Sequence, residues 1–508
     1  MTGTVITSRP GSNPDGHAAV QTRRWQPVLR AMSQIGGGAL ASGLLSAGAA
    51  KIVASVLGPA GVAVLGTLQQ CRETGAVAAT LNGQTALVQG ASHLTGVERR
   101  EFLRTSLCLF GTATLAVILG LVAAPEQVAR MAGLGMLRAP LIRWLTLPVA
   151  LASLYIFLNG LVSALGAIRA LAGLQLAAPG ALLLLAYPAA MGAARHQENW
   201  FSMLLTVSAA LAAAAAALAL ARHRRELESW IHGSGRWWSG AAARRFFLLS
   251  GSMLSSGLAS NGVLVLVRAQ MLRREGLTVT GQFDAAWSIG LNLSTLLLAS
   301  LPAYHLPALA KARTAPERVA HLWSVLRVVA PAAVVLIVGL AALKPVALAA
   351  LYSPEFGPAA LYLRWTLPGV YLKVTAWVLA APMLACTHAK VFLAAELAAW
   401  LVFSAGTAAL ARWRGTAESA AMAFVLMYVV HLAISFAYVR RYHGFRWDPC
   451  VGPLWLAGLG LITAVSVAHW SPLPGPLLGQ LSGGALWILA AVLIQILLLR
   501  RGRTECAE

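Results

Sequence analysis

Nine ionisable side chains interrupt stretches that are otherwise apolar: Lys51, Arg72, Glu73, Arg268, Asp284, Arg364, Lys373, Glu396 and His431. A charge at the centre of a membrane helix costs at least about 2.5–3.5 kcal/mol on insertion scales, so such groups persist where they face a wet cavity or a partner. The bases outnumber the acids and come from early helices of both halves of the chain. If they face a common space, they form a cationic cavity suited to an acidic ligand. Lys51, Arg72, Arg268, Arg364 and Lys373 are its candidate anion-binding groups, and Gln69, Gln70, Asn82 and Asn292 are candidates for polar contacts to the rest of a ligand. Plainer readings stay open for several of them. Arg72 and Glu73 could pair with neighbouring helices, and Arg268 and Lys51 lie near enough to helix ends to snorkel. Glu73, Asp284 and Glu396 read as counter-charges, with ion coupling as the alternative. His431 reads as a packing histidine or a proton relay. Lys373, central in an apolar run, is hardest to explain structurally.

Other chemistries find no support in the residue pattern. Cys71, Cys108, Cys386, Cys450 and Cys506 show neither metal-ligand nor disulfide spacing. Gly458-Leu-Gly460 lacks the strand and the third glycine of a dinucleotide fingerprint, and no phosphate-cradling loop of an ATPase is present. No catalytic constellation, metal or cofactor is expected. The chain is read as a transporter rather than an enzyme.

The elements that position these residues are membrane helices. Of 508 residues 58% are hydrophobic and only 11% charged, against about 25% charged in soluble domains. Apolar stretches of about 20 residues, the length that spans a bilayer, recur along nearly the whole chain. The formal net charge of +22 invites a nucleic-acid reading, but the bases sit in short clusters at every second connection. That is the positive-inside pattern of a multi-pass protein, and it puts both termini in the cytoplasm of a bacterial inner membrane. The expected fold is all-α, with about fourteen transmembrane helices in two pseudo-symmetric six-helix lobes plus two C-terminal helices. Residues 1–36 read as a polar, mostly disordered tail, 37–221 as the first lobe and 222–245 as a basic connection with a short amphipathic helix lying in the interface. Residues 246–440 form the second lobe, 441–499 the extra helices (near 452–470 and 484–499) and 500–508 a tail. Gly61, Gly66 and Gly75 recur at the same spacing as Gly276, Gly281 and Gly290. Arg143-Trp144 through Pro148 likewise matches Arg364-Trp365 through Pro368, so the lobes read as parallel repeats.

Lys51 to Gly61, with Gly58-Pro59 at its centre, resembles the first-helix exit of the polysaccharide flippases. These are the O-antigen and enterobacterial-common-antigen transporters of the multidrug/oligosaccharidyl-lipid/polysaccharide exporter superfamily. Arg268 with the later run Leu306-Pro307-Ala308-Leu309, then Ser353 to Phe356, Trp365, Gly369, Leu372-Lys373-Val374 and Ala395-Glu396 are similar to the same family. The resemblance implies two lobes that open alternately to either side. Its implied substrate is an oligosaccharide linked through pyrophosphate to a polyprenol, handled during surface polysaccharide biosynthesis beside a polymerase as candidate partner. It implies that Lys51, Arg268 and Lys373 hold the pyrophosphate, with Arg72 and Arg364 assisting, while the isoprenoid tail stays in membrane lipid. The chain departs from the family at Val370, where an acidic residue is expected, and in its two extra helices, a pair that peptidoglycan-precursor flippases also carry. The alternatives are a drug or metabolite antiporter of the same superfamily and a membrane glycan polymerase or ligase. The short outer loops weigh against the latter.

Overall fold

The computed structural model describes residues 14–195, 197–231, 233–298, 305–386, 388–415, 417–448, 451–468, 487–493 and 495. Every regular element among them is helical. In chain order these are α1 (Pro14–Ala79), α2 (Gln84–His93), α3 (Gly96–Ala123), α4 (Pro125–Met131), α5 (Ala139–Trp144), α6 (Thr146–Ala164), α7 (Ile168–Ala194), α8 (Asn199–Ala221) and α9 (Arg224–Ile231). They continue as α10 (Gly240–Leu298), α11 (Leu306–Lys311), α12 (Ala315–Ala342), α13 (Lys344–Leu351), α14 (Ala359–Ala385), α15 (Ala389–Arg414), α16 (Ser419–His443) and α17 (Val451–Ala468). Ten helical stretches among the described residues are long and apolar enough to cross a membrane. The chain is a multi-pass membrane protein.

Two of these helices are too long to be single spans. α1 has 66 residues and α10 has 59, about 90–100 Å at the rise of an α-helix, against a hydrocarbon core of about 30 Å. Each folds back at one glycine with a positive φ: Gly58 (φ 61°) and Gly276 (φ 82°). Glycine takes up that conformation readily because it carries no Cβ. Each long helix is therefore a pair of spans, which accounts for expected helices 1 with 2 and 7 with 8. The bends also correct the repeat register. Gly276 corresponds to Gly58, three residues before the Gly61 with which the glycine spacing paired it.

Backbone helix reaches back to Pro14, into the stretch expected as a disordered tail. Residues 17–35 are rich in Ala, Gln, Arg, Leu and Met, all good helix formers, so polarity alone was a poor guide. Residues 1–13 and the tail at 500–508 lie outside the described residues, as does half of expected helix 14. Of that helix, residues 487–493 and 495 are described and helical.

The apolar cores divide along the chain. One cluster centres on Leu68, Ile142, Ala186 and Leu205, and a second on Phe102, Phe110, Phe157 and Phe246. The largest belongs to the second half, where Trp287 stacks on Phe403 and meets Phe424 edge-on, and from the first half it draws Ala54, with Ala50 and Val62 packed against it. α17 docks on this half through Trp455, whose indole donates to Thr375 Oγ1 at 2.8 Å. The buried Lys344 also reaches α17, donating to the Ser466 carbonyl at 2.8 Å. The short connector helix α9 does not lie free. Leu227 and Trp230 pack into the second cluster, with Arg99 over the Trp230 ring.

Candidate functional site

The second span of α1 and the two spans of α10 meet through small residues. A Cβ on Gly281 would lie 1.8 Å from the Pro59 carbonyl oxygen, and one on Gly66 would lie 2.6 Å from Asp284 Oδ2. This close approach brings Arg268 against the backbone of the other half. Its Nε donates to Asp284 Oδ1 at 2.9 Å, and its NH1 to the Gly66 carbonyl at 2.8 Å and to Gln70 Oε1 at 3.3 Å. Gln70 in turn donates from Nε2 to Asn261 Oδ1 at 3.0 Å. Arg268 and Asp284 are both buried, and such a pair holds only because each compensates the other's lost hydration.

This cluster is the floor of a cavity of about 890 Å³ between the halves. The cavity extends from Ser42 and Leu296, on the side away from the glycine bends, down to Gly66, Arg268 and Asp284. Its walls carry apolar residues of α1, α7 and α10 and a polar set that includes Gln69, Arg72, Glu73, Gln175 and Asn292. Tyr352 also faces it. Burial, with the Asp284 charge nearby, raises its phenol above the ordinary value, so the hydroxyl stays neutral.

The expected site residues separate into two groups. Gln69, Arg72, Glu73, Arg268, Asp284 and Asn292 line the cavity. Gln70 stands just behind the wall, holding Arg268. The remaining residues lie elsewhere. Lys51 turns across to the C-terminal end of α13, donating to the carbonyl oxygens of Ala349 and Tyr352. Arg364 pairs with Glu418 at 2.6 Å, which also accepts from Trp365 Nε1. Lys373 donates to Ser294 Oγ at 3.1 Å beneath the Tyr428 ring. Asn82 donates to the Met253 carbonyl at 2.6 Å. Glu396 accepts from Trp400 and lies 3.5 Å from His431, deep in the second half.

The cationic wall expected from composition is therefore replaced by a balanced one. Arg268 faces Asp284, and Arg72 lies 3.5 Å from Glu73. Lys51 and Lys373, expected in the cavity, satisfy backbone carbonyls and a hydroxyl elsewhere, because a buried ammonium needs acceptors wherever the fold supplies them. Sequence reasoning missed Gln175 and Asn261. Each is a lone amide in an apolar helical run, a signal of the same kind as the charges but weaker. Among the described residues no group of three or more His, Cys, Asp or Glu is placed to hold a metal ion.

No protein-family model matches the sequence, and no curated protein matches it. Solved structures do. A lipid II flippase, MurJ, in an inward closed conformation aligns with a TM-score of 0.66 at 13% identity, covering 89% of this chain and 96% of that one. An inward-facing multidrug resistance MATE family transporter of the MOP superfamily aligns with a TM-score of 0.67 at 14% identity, covering 79% of this chain and 94% of that one. A MOP superfamily transporter from Pyrococcus furiosus with a binding pocket of reversed polarity aligns with a TM-score of 0.60 at 14% identity, covering 86% of this chain and 95% of that one. The chain has the fold of this superfamily.

Proposed function

We propose that the chain is a flippase that carries a polyprenyl-pyrophosphate-linked oligosaccharide from the cytoplasmic to the periplasmic leaflet of a bacterial inner membrane by alternating access. Both termini would be cytoplasmic, and the product would feed a surface polysaccharide and its polymerase. The observation that carries this reading is Arg268 at the floor of a large, amide-lined cavity between the two halves. Guanidinium groups bind phosphate through two parallel hydrogen bonds. Arg268 with Arg72 would take the pyrophosphate, and Gln69, Gln175 and Asn292 would meet sugar hydroxyls. With that orientation the cavity lies toward the cytoplasm, the side from which the substrate comes. A membrane potential negative inside favours outward movement of the anionic head by about 2.3 kcal/mol per net charge per 100 mV.

A cation-exporting antiporter is the second reading, favoured by Glu73 and Asp284 on the same wall. It is weakened because the Asp284 carboxylate is already engaged by Arg268. Complementation of a flippase-null strain separates the two. The parent chain is expected to restore surface glycan, and the Arg72→Ala, Arg268→Ala double variant is not. Efflux of cationic dyes without glycan restoration would favour the antiporter.

A further inference from the structure

Besides lining the cavity, Arg268 fastens the two halves together. Its Nε bond to Asp284 stays within α10, but its NH1 bonds cross to Gly66 and Gln70 of α1, and Gln70 crosses back to Asn261. Other cross-half contacts at the end with the glycine bends are Gly281 on Pro59, Gly133 on Ala269, Arg273 on the Arg130 carbonyl, and Lys51 on the end of α13, and at the opposite end Asn82 donates to the Met253 carbonyl. None of these donors faces the cavity. Arg268 does.

Resting on the flippase reading, we infer that Arg268 is a latch released by the substrate itself, and that Gln70 is the positioning residue that holds it shut. With Nε on Asp284 and both N–H groups of NH1 on the Gly66 carbonyl and the Gln70 amide, Arg268 can offer a phosphate NH2 alone, and the parallel two-bond grip needs NH1 as well. A diphosphate arriving in the cavity offers charged acceptors in place of neutral ones, and hydrogen bonds to charged groups are the stronger. Arg268 leaves Gly66 and Gln70 for the headgroup, and the floor loses two of its three polar bonds across the halves, keeping only the one from Gln70 to Asn261. A ligand shifts a conformational equilibrium only by its differential affinity for the two states. The difference here is that Arg268 is fully available to the headgroup only once the floor has let go. An empty carrier keeps its floor fastened, and a loaded one opens.

The test measures separation of the halves at the bend end, independently of transport. Spin labels on Glu126→Cys in α4 and Arg274→Cys in α10, both exposed positions, report the distance by pulsed EPR in proteoliposomes, with the native cysteines replaced by serine. Added polyprenyl pyrophosphate is expected to raise a longer-distance population. Gln70→Glu, which turns the latch into an ion pair, is expected to suppress that population about tenfold. Gln70→Leu is expected to raise it without ligand. Binding of polyprenyl pyrophosphate is measured separately by thermal shift of the unlabelled parent, so the ligand comparison does not depend on any Gln70 variant folding. Ligand that binds without changing the distances overturns the latch and leaves the flippase reading intact. Gln70 variants indistinguishable from the parent also overturn it. Ligand that fails to bind removes both the release mechanism and the substrate assignment.

Discussion

Lys51 and Tyr352 join the two halves of the molecule: the lysine ammonium donates to the Tyr352 carbonyl oxygen and, at 2.7 Å, to that of Ala349. These are unsatisfied carbonyls at the C-terminal end of α13, the negative end of a helix dipole, where a cation is favoured. Lys51 therefore belongs to the contact that closes the bend end. Lys51→Met is expected to leave the affinity for polyprenyl pyrophosphate within about twofold of the parent and to destabilise the fold by about 1–2 kcal/mol. Binding titration beside thermal unfolding checks this. A tenfold loss of affinity at unchanged stability would return Lys51 to the ligand.

Asp284 restrains the charge that the headgroup needs. Removing it leaves Arg268 buried against neutral acceptors, a loss of about 3–5 kcal/mol when one partner of a buried pair is deleted. The same change makes the cavity net positive. Asp284→Ala is thus expected to lower the melting temperature while tightening diphosphate binding, with a steeper dependence on salt. Isothermal titration at two ionic strengths distinguishes this from a merely damaged site, which would lose affinity at both.

Gly58 and Gly276 adopt related backbone conformations but have different surroundings. Alanine at either costs about 1–3 kcal/mol, because positive φ with extended ψ is a conformation essentially confined to glycine. At Gly58 the new methyl would also lie 2.6 Å from Glu355 Oε2, whereas nothing stands within 4 Å at Gly276. Gly58→Ala is expected to be the more destabilising of the two. Equal shifts in thermal unfolding would mean that the Glu355 carboxylate swings aside freely.

The spans were legible because hydrophobic length is a one-dimensional signal, read directly from residue order. The bends were half legible. Glycine spacing located a repeat, but which glycine turns the chain depends on the backbone at one residue, and Gly61 was paired where Gly58 bends. The site was less legible still. Arg268 and Asp284, 16 residues apart on α10, were both visible as buried charges. That they face each other across a bend, with Gly66 making room, is a property of packing between helices. Lys51 shows the same limit. Its charge predicts that acceptors surround it, but not that they are the carbonyls of a helix end some 300 residues away.

The remaining charges test whether the second half holds a self-contained ionic core. Lys373 and Glu396 are close enough for their charges to interact, and neither lines the cavity. His431 is fully buried, with no hydrogen-bond partner at either ring nitrogen among the described residues, and its Nε2 stands 3.5 Å from Glu396. Removing one charge strands the other, so Lys373→Met and Glu396→Gln are each expected to destabilise by several kcal/mol. The double variant should be milder than the sum by at least about 1 kcal/mol. His431→Leu removes no hydrogen bond and should cost little beyond a small change in packing. If that variant, still folded, also lost the pH dependence of transport, His431 would be carrying a proton. An additive Lys373–Glu396 double variant would show instead that each charge is satisfied by its own neighbours, the Ser294 hydroxyl and the Trp400 indole.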